Sequence, residues 1–242
     1  MSIWLLNAIL IEGMGIVGVL AVWRTRRTDA AFAAGFNTML LVTGAYVWSA
    51  LPLDPRKVAV LAMVVVYLLH MNWLLLFRRR YTALPKLDTQ LPLSQKYVLP
   101  FVLTNVVGWG YCLPFYFAVR RVGPLNGLDY LAFGVYVVGA VIHFGSDYQK
   151  VRFKARPDTK GKLLDTGFWA LCRHPNYFGD FLTYVAFALI GGSVWGWISP
   201  LLNLLQYLFD AIPKNEKWAA ARYGEAWERY VRRTRKFIPF VF

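Results

Sequence analysis

Between Arg173 and Asp180 the chain reads Arg-His-Pro-Asn-Tyr-Phe-Gly-Asp. A guanidinium, an imidazole, an amide and a carboxylate stand within one short stretch. That stretch lies where a basic, water-facing loop passes into an apolar run. Polar groups of this density at a membrane edge need partners, and in lipid such residues mark ligand or proton paths by default. Two further polar stretches flank it: HFGSDYQKVRFKARPDTKGK at residues 143–162 and KNEKWAAARYGEAWERYVRRTRKFIPFVF at residues 214–242. Their chemistry predicts an enzyme whose site opens from the membrane towards the cytosol.

The elements that must hold these groups are apolar helices. Hydrophobic residues make up 57% of the 242-residue chain and charged ones 17%, against about 25% charge in a soluble domain. The apolar content falls in blocks long enough to cross a bilayer, which takes roughly 20 helical residues. Seven are visible, at residues 3–23, 31–51, 58–77, 97–119, 128–144, 177–197 and 198–212. Pro100 and Pro114 interrupt the fourth, and only a tight turn near Gly196 to Pro200 separates the last two. The expected fold is all-α: a polytopic membrane bundle of six to seven transmembrane helices with a cytosolic carboxy-terminal amphipathic helix. Trp218, Arg222, Glu225 and Arg229 follow the helical spacing of that last element. Pro157 and Gly161 should end the helix before the basic loop, and Pro175 suits the first turn of the next one. Residues 1–242 read as one domain, with early helices to about 140 as a wall and residues 141–242 as a polar head.

Charge sets the expected orientation. If the first run ends in the cytosol, the loops there hold 23 of the 27 basic residues, and the opposite side keeps Arg56, Lys57, Arg120 and Arg121. That split follows the positive-inside rule, with the amino terminus outside and the tail in the cytosol, in a bacterial inner membrane or endoplasmic reticulum. The net charge of +14 is then explained by topology and by attraction to anionic lipid headgroups. Charge spread over several loops of a membrane protein argues against nucleic acid as a partner. Cys112 and Cys172 form no disulfide framework and no metal-ligand spacing. The first apolar run lacks a basic leader or small-residue cleavage site and reads as a retained helix.

Three motifs in the last hundred residues resemble the membrane steroid 5α-reductases and sterol C14/C7 reductases. Ser146-Asp147-Tyr148, followed by basic residues, is similar to a 5α-reductase segment. GFWALCRHPNYFGD, residues 167–180, resembles the sterol reductases' G-W-W-G-x-x-R-H-x-N-Y-x-G-D. RYGEAWERY and the closing IPFVF are similar to the families' tail motifs. The resemblance implies NADPH as cofactor, a lipophilic substrate, and residues 141–242 as the cofactor-binding part, with residues 1–140 on the substrate side. It implies a cofactor contact at Asp147 and places Asn176 at a carboxamide or ribose edge. Arg173, His174, Tyr177 and Asp180 stand at matched positions beside that asparagine, and Tyr223 and Tyr230 match tail tyrosines. Lys214-Asn215-Glu216 lies where sterol reductases carry R-D-E, with the acid lost at Asn215. Lys154, Arg156 and Lys162 are candidates for the cofactor phosphates, which must be paired once out of water.

The front half departs from the family pattern. His70 is followed by Met71 where the 5α-reductases have a tyrosine, and Tyr67 lies one helical turn earlier. Glu12 is the carboxylate deepest in the early helices. Glu12, Tyr67 and His70 are therefore the candidate acids, against the plainer readings of a paired structural carboxyl, a packing phenol and a satisfied interior imidazole. The expected reaction is reduction of a carbon–carbon double bond in a steroid, sterol or isoprenoid. The main rival is an S-adenosylmethionine-dependent methyltransferase resembling the isoprenylcysteine carboxyl methyltransferases, which share an R-H-P-x-Y-x-G core. A membrane scaffold that retains a reductase-like body is a third reading.

Overall fold

The structure, a computed structural model, describes residues 1–82 and 84–241. Phe242, the last residue of the closing IPFVF, lies outside the described residues. All regular structure among the described residues is helical, and the chain is an all-α polytopic membrane protein. Among the described residues, five helices are long and apolar enough to cross a bilayer: α1 (Ile3–Thr25), α2 (Thr28–Trp48), α3 (Pro55–Asn72) with its continuation to Phe77, α5–α6 (Leu93–Ala118) and α7 (Gly127–Ala155). The short α4 (Leu84–Gln90) precedes α5.

The expected sixth span is shorter than the hydropathy suggests. The four-residue α8 (Phe168–Leu171) precedes α9 (Pro175–Gly191), which has 17 residues. At about 1.5 Å per residue α9 reaches roughly 26 Å, against a hydrocarbon core of about 30 Å. After it, α10 (Ile198–Gln206) continues without a break through a π-helical turn, Tyr207–Ala211, into the helix of the tail. The proline-rich fourth run is not cut at Pro100, which lies inside the helix. A π-helical turn at Val106–Tyr111 widens the helix instead, just before Pro114 in the first turn of α6 (Leu113–Ala118). Wider turns of this kind absorb the carbonyl and N–H mismatch that proline creates. The tail also differs from expectation. Gly224, at φ 50°, divides it into α11 (Ile212–Tyr223) and α12 (Glu225–Arg233), because the left-handed region costs glycine little.

By contacts the chain forms two units, Met1–Ala132 with Phe187–Ser199 and Phe133–Ala186 with Pro200–Phe242. In the first, α1 packs on α2 and α5. A Cβ at Gly18 would stand 2.7 Å from Pro100 and 2.9 Å from Ala34, a close approach of the kind membrane helices achieve through small residues. The same unit buries an ion cluster. Arg56 donates to both carboxylate oxygens of Asp129, at 3.0 and 2.9 Å, and to the carbonyls of Arg121, Gly123 and Pro124. Arg121 donates to Asp129 at 2.7 Å and to the Ile190 carbonyl at 2.8 Å. Lys57 pairs with Asp54 at 2.7 Å, and the Arg120 guanidinium lies 3.9 Å from the centre of the Tyr116 ring. All four basic residues assigned by sequence to the less positive side thus have local partners.

Candidate functional site

In the second unit, three helices each contribute two polar side chains spaced by four residues. Such pairs share one helix face. They are His143 and Asp147 on α7, Asn176 and Asp180 on α9, and Asn203 on α10 with Tyr207 at the start of the π-helical turn that continues it. The helices come close because Gly179 has no side chain: a Cβ there would lie 2.3 Å from the His143 backbone nitrogen. Asn176 Nδ2 donates to Asp147 Oδ1 at 3.1 Å. His143 bridges the two acids, with Nε2 3.4 Å from Asp147 and Nδ1 3.5 Å from Asp180. The other Asp180 oxygen accepts from Asn203 Nδ2 at 3.0 Å and from the Tyr207 hydroxyl at 2.5 Å. Asp147, Asp180, His143, Asn176 and Asn203 are all buried.

Tyr177 joins this cluster to a second one. Its ring stacks on Tyr207 at 4.3 Å and on His174 at 5.5 Å, and its hydroxyl accepts from Asn215 Nδ2 at 2.7 Å. Beyond it, Arg173 Nε donates to Glu216 at 2.9 Å, and Nη1 donates to the Thr234 carbonyl at 2.6 Å. His174 Nε2 lies 3.3 Å from the same Glu216 oxygen. Burial works against the charge on Glu216, but hydrogen bonds from His174 and Arg173 outweigh it and hold the carboxyl at about 2. Burial lowers His174 below its ordinary value despite Glu216. At neutral pH the pair is a carboxylate accepting from a neutral imidazole, with Arg173 as the cation.

The structure therefore gathers Asp147, Arg173, His174, Asn176, Tyr177, Asp180, Asn215 and Glu216 into one connected network. Tyr230 is buried beside it and donates its hydroxyl to the Trp169 carbonyl at 2.5 Å. Tyr223 is half-buried beneath Arg222, at 5.5 Å. Lys154, Arg156 and Lys162 are exposed, and Arg156 is engaged by Asp158 at 3.1 and 2.6 Å. The candidate acids belong to the first unit. Glu12 is exposed and accepts from Asn105 at 3.0 Å. Tyr67 is buried against Phe36 and Phe187, and the half-buried His70 has its ring 5.7 Å from Trp73. Sequence reasoning missed His143, Asn203 and Tyr207 as site residues. The signal was present: His143 lies one turn before Asp147, and Asn203 and Tyr207 repeat that spacing in an apolar run.

The family model described as "Protein of unknown function (DUF1295)" matches residues 19–234. The chain belongs to the DUF1295 family. Among curated proteins, this DUF1295 member is 30% identical over 121 residues to the Delta(14)-sterol reductase of Arabidopsis thaliana, covering 45% of the chain and 32% of that protein. It is 31% identical over 126 residues to Delta(14)-sterol reductase TM7SF2 of Mus musculus, covering 44% and 29%. It is 36% identical over 92 residues to Delta(14)-sterol reductase LBR of Gallus gallus, covering 36% and 14%. The chain thus spans about a third or less of the length of the curated relatives it matches.

Proposed function

We propose that this DUF1295 member reduces a carbon–carbon double bond of a membrane-dissolved sterol, steroid or related isoprenoid, with NADPH as the reductant. The observation that carries the reading is the buried network on α7, α9 and α10. Its donors and acceptors are not fully matched: among the described residues Asn203 Oδ1 is buried and accepts no hydrogen bond, and Asp180 Oδ1 has only the 3.5 Å contact with His143 Nδ1. Buried acceptors are expensive to leave unpaired. They fit a ligand that brings N–H or O–H donors, as a carboxamide or a ribose does. Its similarity to Delta(14)-sterol reductases supports the same reaction.

When bound, NADPH supplies a hydride. The chain's own residues bind and orient. Asn176, held by Asp147, presents a fixed amide, and His143 sets the separation of the two carboxylates. Arg173, through Glu216 and the Thr234 carbonyl, ties the tail to the loop before α9. Hydride addition to an alkene also needs a proton donor, and Glu12, Tyr67 and His70 are its candidates.

The experiment is a thermal-stability titration of the purified chain with NADPH and, separately, with S-adenosylmethionine. It is followed by incubation of a lipid extract with deuterated NADPH and mass spectrometry. Stabilisation by NADPH and deuterium in a reduced lipid are expected, since a ligand stabilises the state it binds. Stabilisation by the methyl donor alone would reverse the assignment.

A further inference from the structure

The polar face of α7 that carries His143 and Asp147 is not the helix's only functional surface. Around the helix, Gly145, Tyr148, Gln149, Arg152 and Phe153 line a cleft of about 780 Å³ closed by the segment Leu164–Leu171. That wall is built deliberately by short-range contacts. Gln149 donates to the Thr166 carbonyl at 2.9 Å and accepts from the Phe168 N–H at 3.1 Å, clamping the segment to the helix. Gly167, at φ 62°, makes the turn. A Cβ there would meet Gln149 at 2.3 Å, and one at Gly145 would meet the Phe168 ring at 2.7 Å. Phe153, Leu164, Phe168 and Leu171 supply an apolar lining.

Helix arithmetic places the cleft at the membrane boundary. α7 has 29 residues, roughly 43 Å at about 1.5 Å each, while the hydrocarbon core takes about 20 residues, or 30 Å. A crossing that begins at the start of α7 is complete near Tyr148. Arg152 then stands about 6 Å further along, at headgroup height. Tyr148 is exposed, as an interfacial aromatic should be. Arg152 is exposed with its guanidinium 5.8 Å from the Tyr148 ring, and among the described residues no carboxylate pairs with it. Arg156 also lines the cleft but is engaged by Asp158.

We propose that this cleft binds one anionic phospholipid, with the headgroup phosphate on Arg152 and an acyl chain against Phe153, Leu164, Phe168 and Leu171. An apolar floor with a single unneutralised guanidinium at its rim matches an acyl chain joined to a phosphodiester. A free nucleotide would leave the apolar lining uncovered, and a zwitterionic lipid would bring a second cation beside Arg152. The site is separate from the Asp147–Asn176–Asp180 network and does not depend on the reductase reading.

Native mass spectrometry of the full chain in detergent tests it, with phosphatidylglycerol and phosphatidylcholine added in parallel. One retained phosphatidylglycerol per chain is expected, with phosphatidylcholine lost. Arg152→Gln should weaken retention about tenfold, the scale of one charge-assisted hydrogen bond, and Arg152→Glu more. Both variants change an exposed side chain, and unaltered elution in size exclusion verifies their fold. Equal retention of the two lipids, or equal retention by folded variants, would overturn the proposal. Displacement of the lipid by inorganic phosphate or by NADPH would also overturn it, by making the cleft a phosphate or nucleotide site.

Discussion

The two units bury charge in opposite ways. In the first, Asp129 receives two arginines, and the spare guanidinium protons of Arg56 go to three backbone carbonyls. In the second, two carboxylates share one imidazole, with asparagine and tyrosine as their other donors; Asn203 Oδ1 accepts no hydrogen bond among the described residues, and Asp180 Oδ1 has only the 3.5 Å contact with the imidazole. A cluster whose donors and acceptors cancel leaves a ligand nothing to add. A cluster with buried acceptors to spare carries a cost until something fills it. The first pattern suits a structural lock and the second a binding site.

Breaking the lock should produce the largest effect. Asp129→Ala leaves Arg56 buried without its anion, which typically costs about 3–5 kcal/mol; thermal unfolding in detergent should show a large loss. Little loss of stability would remove the structural half of the contrast. Replacement of Asp147 or Asn176 by alanine should act on binding, weakening NADPH by about 1–3 kcal/mol in a calorimetric titration. Wild-type affinity in both variants would move the cofactor elsewhere. Tyr207→Phe removes the 2.5 Å hydrogen bond to Asp180 but keeps the stacking on Tyr177, so a smaller penalty of about 1 kcal/mol is expected in the same titration.

The junction at Arg173 sharpens the comparison through pH. Both His174 and Glu216 have folded-state values below their ordinary ones. Each therefore contributes stability that is present above its unfolded pKa and lost as pH falls. For His174 the loss starts below its ordinary 6.5; for Glu216 it runs from 4.5 down to about 2. Limited proteolysis of the tail should accelerate in those two windows. Glu216→Gln should abolish the lower one, and a flat profile from pH 7 to 3 would refute the assignment. The smallest effect is at Gly224, where alanine at φ 50° should cost about 1 kcal/mol and be read as a slight fall in the melting temperature.

Much of this was legible in the residues. The apolar runs located the membrane helices, and proline and glycine located the carboxy-terminal end of α7 and the start of α9. The spacing within RHPNYFGD put Asn176 and Asp180 on one face. Hydropathy misjudged the end of α9 because it registers apolar content, not where a helix stops: Gly192, at φ 63°, interrupts that run. The tail misled in a similar way, since periodicity continues across Gly224 while the backbone does not.

Chain order alone thus determined which segments are helices and which face of each is polar, because these follow from period and length within one segment. Only the folded arrangement decided that Arg56 meets Asp129 across 73 positions and that His143, Asp180 and Tyr207 share one centre. Those pairings depend on where helices cross and how each is rotated, and on the missing side chain at Gly179 that brings α9 against α7. A one-dimensional pattern carries no such distance.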